Sequence, residues 1–385
     1  MAGRSYREWA EALVGYSLQP RQWERNNVSG AIETVINGGE NFVFFEARFR
    51  ERIDRLRARI DAEDSKHLLE RLAAIGSTKW FGCFAELTAW DFFSELPFGL
   101  RVEVAPPGPQ LGCNPAQLDG MLPHLGGLHF DVKIFGDTTK AILEAIEDET
   151  SERHPGVSLS FNYPEDFADE QIANERKVIL GGIDFAILDG KGAYRNEKLG
   201  LTVRIHNPRP QVVVSEHGYN PYRQAARRRF AVLGDAHQFL RDGKNVLVYV
   251  VHPWFNFRNA IDFGGSQEVC FRALARRVFV ELTKDRQLLK SAASAKKCPA
   301  SLAVLEAAQR LSGIIFLVDY TVAPPRDRGE SIPYDPATPL GVVEAFIYAN
   351  PNVLASSDAR HELERITENA VAIVRGYDDF AHDNY

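Results

Sequence analysis

Asp119, Asp131 and Lys133 are the residues whose types and spacing could carry out chemistry. Asp131 and Lys133 lie in the apolar run 128–135, and because side chains alternate along a strand, both should face the same side. Two ionisable side chains in so apolar a strand are destabilising unless they pair or bind an ion. A hairpin between this strand and the preceding one would bring Asp119 beside Asp131.

Two neighbouring carboxylates repel each other, and a divalent cation between them relieves that repulsion. Oxygen-only ligands suit Mg²⁺, with Mn²⁺ as a substitute, and Mg²⁺ commonly takes one or two carboxylates together with phosphate oxygens. Lys133 beside such an ion could orient or help to deprotonate an attacking water, or neutralise charge that develops on the phosphate. These residues therefore predict metal-assisted hydrolysis of a phosphodiester bond.

A helix and three strands would position these residues. The runs 101–105, 117–122 and 128–135 are short, apolar or rich in β-formers, and turns containing proline or glycine separate them. The helix predicted over 79–96 precedes them and carries Glu86. An alternative interpretation is an intra-strand Asp131–Lys133 ion pair at a sheet edge, with Asp119 in a turn and Glu86 an ordinary helix-surface residue.

The helix, the three strands and the Asp-x(11)-Asp-x-Lys spacing resemble the PD-(D/E)XK restriction-endonuclease-like superfamily over residues 77–135. The resemblance implies that Asp119 and Asp131 are metal ligands, Lys133 the catalytic lysine and Glu86 an auxiliary acid. Leu118 stands where the family often has proline. The family's core continues with a helix and a fourth strand.

Two stretches could supply that helix and strand. One option is the helix predicted over 138–149 with a later strand. The other is the helix predicted over 221–240 with the apolar strand 245–252, which would make 137–210 an insertion. Gln224 on the second helix is similar to a polar glutamine that many family members carry near the site.

The rest of the chain alternates predicted helices with apolar strands, which indicates an α/β fold with a mixed central β-sheet flanked by helices. We predict a helical N-terminal region over 1–76, a nuclease-like α/β core over 77–260 with an insertion at about 137–210, and a C-terminal α/β region over 261–385. The C-terminal region is either separate or part of the same domain as the core. Other predicted helices cover 40–60, 65–75, 267–284, 300–312 and 357–375, and other predicted strands cover 178–188, 201–205, 211–215, 314–320 and 342–349.

The predicted helix 40–60 carries an apolar stripe, and arginines alternate with acids on its other face. That pattern predicts a solvated, salt-bridged face. The acidic stretch 137–175 is expected to be a solvated, partly irregular insertion. Asp184 and Glu216 also follow apolar runs, but Gly218 stands two residues after Glu216, so the spacing to a lysine fails there.

Charge restricts how the chain could bind nucleic acid. The formal net charge of −7, from 45 Lys and Arg against 52 Asp and Glu, excludes a polycation, so any such surface must be a local patch. One basic island lies within 268–297, and alternatively these bases pair with the chain's own acids. The candidate nucleic-acid-binding residues on the helix predicted from 221 are Arg223, Gln224, Arg227, Arg228 and Arg229.

We therefore predict a Mg²⁺-dependent DNA endonuclease of restriction or phage-defence type. The alternatives are a non-catalytic nucleic-acid-binding or assembly protein with a nuclease-like fold, and an RNase with the same site; a homodimer is a further option. No apolar run approaches the roughly 18–20 residues of a membrane span, and residues 1–19 show no signal-peptide core, so we expect a cytoplasmic protein. The four cysteines form no CxxC motif and predict neither zinc nor disulfides.

Overall fold

The computed structural model describes residues 5–15, 17, 35–37, 45–74, 80–113, 116–136, 138–163, 169–207, 220–252, 266–289, 302–321, 343–354 and 358–383. The chain divides into two compact units. The first unit consists of residues 1–135, 230–262 and 275–385, and the second of residues 136–229 and 263–274. The residues predicted as an insertion, 137–210, fall within the second unit.

The helices and strands have the following bounds. The strands are β1 Arg101–Val104, β2 Leu118–Leu122, β3 Leu128–Ile134, β4 Ser158–Asn162, β5 Ala193–Asn196, β6 Leu201–His206, β7 Asn245–Val251, β8 Leu311–Asp319, β9 Val343–Ala349 and β10 Val374–Asp378. The α-helices are α1 Tyr6–Val14, α2 Phe45–Arg59, α3 Ser65–Ala74, α4 Trp80–Ser94, α5 Thr138–Arg153, α6 Asp169–Leu188, α7 Pro221–Arg228, α8 Ser266–Arg276, α9 Val304–Arg310 and α10 Asp358–Asn369. Among the described helices, none is both long and apolar enough to cross a membrane.

The first unit is built on a seven-stranded sheet with the order β1-β2-β3-β7-β8-β9-β10. Strands β1, β2 and β3 form an antiparallel meander, and β3, β7 and β8 run parallel. The sheet ends with β9, antiparallel to β8, and β10, parallel to β9. The predicted mixed sheet flanked by helices is therefore confirmed, and the C-terminal region contributes three strands to the same sheet.

Helix α4 lies at the centre of the first unit. Its sequence is apolar around most of its circumference, which is typical of a helix enclosed on all sides. It packs on β3 and β7 and is covered by α2 and α3. Three of its few polar residues, Glu86, Thr88 and Asp91, take part in the charged clusters described below.

Helix α2 confirms the predicted apolar stripe, since Phe45, Phe49, Ile53 and Leu56 are all buried. The prediction that its arginines form a solvated face is wrong for Arg52, whose side chain is only 1% exposed. The reason is tertiary, because α4 and the end of β8 lie over this side of α2 and supply acids to it.

Arg52 is the centre of what we call the buried arginine cluster, which consists of Arg52, Thr88, Asp91, Asp319 and Thr321. The Arg52 guanidinium donates to Asp91 Oδ2 at 3.2 Å, to Asp319 Oδ2 at 2.9 Å and to Thr321 Oγ1 at 3.0 Å. Arg55, at the rim of the cluster, adds a second cation 2.8 Å from Asp91. Two guanidinium groups therefore face two carboxylates in this part of the core.

The second unit contains a three-stranded antiparallel sheet with the order β4-β6-β5, together with α5 and α6. Its own apolar core includes Ile146, Leu159, Ile172 and Val203. The acidic stretch 137–175 is therefore not only an irregular insertion as predicted, because α5 and β4 within it contribute to this core.

The strand predicted over 178–188 is wrong, since these residues belong to α6. Ile172, Ile179 and Ile183 recur at spacings of seven and four residues and bury one face of the helix. A Cβ atom at Gly182 would lie 2.1 Å from the Tyr194 ring of β5, so glycine there permits close packing on the strand and does not end the helix.

Two predicted helices end earlier than expected. The helix predicted over 221–240 ends at Arg228, and short 3₁₀ turns follow at Ala231–Leu233 and Ala236–Gln238. The carbonyls of His237 and Phe239 accept from Gly112 and Leu111, which takes them away from helical pairing. The helix predicted over 357–375 ends at Asn369, and β10 follows because its backbone pairs with the edge of β9.

Some predictions fall outside the described residues. These are the strand 211–215 with Glu216 and His217, the first residues of the helices predicted from 40 and 79, and the basic residues Lys290, Lys296 and Lys297.

Candidate active site

The hairpin of β2 and β3 brings Asp119 to Asp131, as predicted. Gly120 pairs with Phe130, and a Cβ at Gly120 would lie 2.1 Å from the Phe130 ring, so the close approach of the strands requires glycine here. The residue before Gly120 is Asp119, whose Oδ2 accepts from the Val132 backbone N–H at 2.6 Å. The Asp119 carboxylate therefore continues the pairing of the hairpin and lies directly against β3.

Helix α4 holds this end of the hairpin in place. Trp90 Nε1 donates to the Asp119 backbone carbonyl at 3.0 Å, and the Phe93 ring packs on Phe130 at 4.4 Å between centroids. The sheet face that carries Phe130 and Val132 belongs to the apolar core. The predicted alternation along β3 is confirmed, because Asp131 and Lys133 share the opposite face.

Asp131 and Lys133 form a close ion pair, with 2.6 Å between Lys133 Nζ and Asp131 Oδ2. Asp131 is 3% exposed. Both of its carboxylate oxygens are buried, and neither accepts a hydrogen bond of ordinary geometry from the described residues. The ion pair of the alternative interpretation is thus present, but it lies on an interior strand between β2 and β7 and not at a sheet edge.

The electrostatics of the pair follow from burial and from Asp119. Burial raises the pKa of Asp131 well above its ordinary value, and repulsion from Asp119 adds to this, while Lys133 opposes it. Burial alone would lower the pKa of Lys133, but attraction to Asp131, Asp235 and Asp119 outweighs burial and raises it to about 12. Lys133 is therefore a stable cation at neutral pH, and it faces more negative charge than it can neutralise.

Glu86 joins the same electrostatic group. Burial, followed by repulsion from Asp119, raises its pKa to about 7, and Arg71 and Lys133 act in the opposite direction. Arg71 forms an ion pair with Glu86 and another with Glu103 of β1. Asp119, Asp131, Lys133 and Glu86, which we call the candidate site, are thus brought together as the sequence predicted, and Arg71 is an addition that the sequence did not indicate.

Two further residues contact Lys133 from the turns after α7. Lys133 Nζ donates to Gln238 Oε1 at 3.2 Å and lies 3.9 Å from Asp235 Oδ2. The backbone carbonyl of Gln238 accepts a separate hydrogen bond from Gln110 Nε2 at 2.9 Å. Sequence reasoning missed both residues because it extended the helix through them, and no spacing motif marks them.

The candidate nucleic-acid-binding residues lie on or directly after α7 in the second unit. Asn220 caps this helix and Pro221 begins it, as predicted. Arg223 is exposed, whereas Gln224 and Arg228 are buried. The Arg227 guanidinium lies 5.3 Å from the Tyr163 ring centroid and 3.5 Å from Gln224 Oε1, and Arg229 is half-buried.

The basic island of 268–297 is partly used within the protein. Arg276 pairs with Glu281 and Asp383, and Arg277 pairs with Glu281. These pairs agree with the alternative that its bases neutralise the chain's own acids.

Two other acidic groups have ordinary explanations. Asp184 lies on α6, where it pairs with Arg153 at 2.7 Å and with His154 at 3.0 Å. His67, Glu70 and Glu103 are close enough together to hold a cation, with 2.9 Å between His67 Nδ1 and Glu103 Oε2. Arg71 already supplies positive charge to Glu103 in that group.

The candidate site fits a hard divalent cation on its own chemistry. It offers carboxylate oxygens, and those of Asp131 are buried and receive no satisfying hydrogen bond from the part of the chain that the structure describes. Comparison of the chain with protein-family models, curated proteins and solved structures finds no match. The likeness to the PD-(D/E)XK superfamily therefore depends on these residues and their positions alone.

Proposed function

We propose that this chain is a Mg²⁺-dependent endonuclease that hydrolyses phosphodiester bonds in DNA, of restriction or phage-defence type. The observation that supports the proposal best is the Asp131 carboxylate, which is buried beside Asp119 and is compensated only in part by Lys133. A buried carboxylate of this kind costs stability in the absence of an ion. Such a cost is expected where the protein binds a cation.

Each residue then has a role that follows from its surroundings. Asp119 and Asp131 would hold Mg²⁺ or Mn²⁺, which when bound polarises a phosphoryl oxygen and acidifies water. Lys133 is protonated, with its pKa at about 12, so it neutralises charge on the phosphate and does not serve as the base. Glu86, with its pKa at about 7, can accept or release a proton near neutral pH.

The first experiment measures nicking of supercoiled plasmid and cleavage of linear DNA and RNA by the full chain. Activity is expected with Mg²⁺ or Mn²⁺ and is expected to be lost in excess EDTA. Ca²⁺ should allow DNA binding with little cleavage, because its looser coordination does not hold water and phosphate in line. Asp131→Asn and Lys133→Met should each lower the rate by at least about 100-fold, since even the outer partners of metal ligands contribute 10- to 100-fold.

The chain offers a matched control with the same spacing. Asp189 and Lys191 form an Asp-x-Lys ion pair at 2.7 Å on the surface, where the two side chains are 51% and 57% exposed. Asp189→Asn and Lys191→Met should leave cleavage unchanged. Activity that survives EDTA, or that falls equally in both pairs of variants, would count against the proposed site. DNA binding without cleavage would favour the non-catalytic alternative, and cleavage of RNA alone would favour the RNase.

The predicted nucleic-acid surface on α7 has its own measurement. Each phosphate contact contributes about −0.9 to the slope of log K against log salt on B-form DNA. The combined substitution of Arg223, Arg227 and Arg229 by alanine should flatten that slope by about one to three units. Arg276→Ala with Arg277→Ala is the control, because these arginines are paired with acids. An unchanged slope with a lower melting temperature would assign the α7 arginines a structural role.

The cytoplasmic location stays a prediction from the sequence.

A further inference from the structure

His129 is a buried polar side chain that the proposed mechanism does not use. It is 5% exposed, and neither ring nitrogen has a hydrogen-bond partner among the described residues. Its neighbour on β7, Asn245, is equally buried, but its amide makes hydrogen bonds to the backbone of Leu240, Gly243 and Arg310. The contrast matters because buried polar groups without partners are rare and commonly mark a site for water, an ion or a ligand.

The position of His129 points towards the candidate site. His129, Asp131 and Lys133 alternate along β3 and so share one face of the sheet. Successive side chains on such a face are about 6.7 Å apart along the strand. Metal–nitrogen and metal–oxygen bonds are about 2.0–2.2 Å long, so two side chains that lean towards each other can bind one ion. This is the spacing at which a His-x-Asp pair on a strand can act as a chelate.

A small pocket connects the same residues. Its polar lining consists of His129, Asp131, Gln238 and Asn245. Because the Asn245 amide is already satisfied and Gln238 Oε1 already accepts from Lys133, the donors available to an ion in this pocket are the His129 ring and the Asp131 carboxylate. The pocket thus combines one nitrogen donor with one carboxylate, whereas the metal ligands predicted from the sequence supply oxygen atoms only.

We propose that His129 is a nitrogen ligand of the cation held by Asp131, and that it makes the site prefer Mn²⁺ or Co²⁺ to Mg²⁺. The inference rests on the proposed function in that Asp131 is taken as a metal ligand. An imidazole nitrogen favours first-row transition ions over Mg²⁺, which takes carboxylate, carbonyl and water oxygens, and the gain is smaller for Mn²⁺ than for Co²⁺ because affinity rises along the series. A histidine ligand therefore shifts selectivity within one and the same site.

The test is calorimetric titration of the metal-free full chain with MgCl₂, MnCl₂ and CoCl₂, which needs no substrate. The wild type should bind Mn²⁺ and Co²⁺ at least about 10-fold more tightly than Mg²⁺. His129→Leu, which keeps an apolar side chain of similar size in the pocket, should lose about 10- to 100-fold in Mn²⁺ affinity and much less in Mg²⁺ affinity. Equal Mn²⁺ affinity in the wild type and in a folded His129→Leu variant would overturn the inference.

Two further measurements keep the result decisive. His67→Gln should leave Mn²⁺ affinity unchanged, whereas a loss there would transfer the histidine ligand to the group of His67, Glu70 and Glu103 and overturn the assignment. In addition, the electron spin echo of Mn²⁺ bound to the wild type should show nitrogen modulation that changes on labelling histidine with ¹⁵N. The absence of nitrogen coupling would overturn the inference even if His129→Leu failed to fold.

The outcomes separate this inference from the proposed function. Mn²⁺ binding that depends on His129 in a protein without nuclease activity would retain the metal ligand and reject the endonuclease. If cleavage depends on Asp131 but the metal affinities are the same in the wild type and in His129→Leu, the endonuclease proposal stands and His129 is not a metal ligand. A wild type that binds none of the three ions would reject both.

Discussion

The first unit contains two groups of buried charge that share helix α4, and they differ in how well they are satisfied. In the buried arginine cluster, every polar group of Arg52 meets an acid or a hydroxyl, and Arg55 balances the second carboxylate. In the candidate site, Asp119, Asp131 and Glu86 face Lys133 and Arg71, and within the described ranges no residue gives the oxygens of Asp131 a well-directed hydrogen bond. The same helix thus supports one satisfied group and one that is incompletely satisfied.

The difference is also visible in the two buried aspartates. Burial alone would raise the pKa of Asp319, but Arg52 and His252 outweigh it and hold the pKa well below its ordinary value. For Asp131, burial and Asp119 outweigh Lys133, and the pKa rises. Burial by itself therefore does not distinguish a structural charge from a functional one. The balance of partners does, because only the second group gains from an added cation.

The largest expected effect is on the satisfied cluster. Arg52→Met would leave Asp319 and Asp91 buried with too little positive charge, and the free energy of unfolding should fall by about 3–5 kcal/mol. Chemical denaturation measures it. Arg50→Met is the matched control on the same helix, because Arg50 is 47% exposed and pairs only weakly with Glu46 at 3.8 Å. It should change stability by no more than about 0.5 kcal/mol. Similar stabilities for the two variants would mean that the cluster is not structural.

The next effect in size is that of replacing a buried aspartate by asparagine. This substitution should change stability in opposite directions in the two groups. Asp319→Asn removes a carboxylate that Arg52 needs and should be destabilising. Asp131→Asn relieves repulsion with Asp119, so metal-free stability should stay the same or rise by about 1 kcal/mol. Melting in EDTA tests both variants. A loss of stability in Asp131→Asn as large as that in Asp319→Asn would remove the distinction between the two groups.

The smallest expected effect is on the pH dependence of stability, to which Glu86 and His252 contribute with opposite signs. The pKa of Glu86 is raised from 4.5 to about 7, so the folded state keeps a proton that the unfolded chain releases, and stability falls as the pH rises from about 4.5 to 7. The pKa of His252, in contact with Asp319, is lowered from 6.5 to about 4 by burial. Its contribution to stability is therefore lost as the pH falls from about 6.5 to 4.

Glu86→Gln separates these two contributions. In metal-free protein the variant should lose the part of the decline between about pH 4.5 and 7 that Glu86 contributes, and keep the part that comes from Asp131, whose pKa is also raised. It should also keep the decline on the acid side, which depends on His252. Denaturation curves collected across this pH range measure both. A decline between about pH 4.5 and 7 that is as large in Glu86→Gln as in the wild type would show that Glu86 does not contribute to it.

The features that local patterns specify were predictable. Alternation along a strand sets Asp131 and Lys133 on one face whatever the rest of the chain does, and the apolar runs on both sides of a turn specify the hairpin that brings Asp119 to them. The apolar stripe of α2 follows from helical spacing in the same way. The position of Glu86 at the site was predictable from the family resemblance, whereas its protonation depends on Asp119 and Arg71.

What only the tertiary structure decided is which polar groups are buried and which partners they receive. Lys133 meets Gln238 across 105 residues of sequence, and Arg52 meets Asp319 across 267. The periodicity of α2 cannot distinguish a solvated arginine from one buried under another helix. Nothing in the spacing of β3 reveals that His129 has no hydrogen-bond partner among the residues described. Side-chain direction follows from the local backbone, whereas desolvation and charge balance depend on segments that only the folded chain brings together.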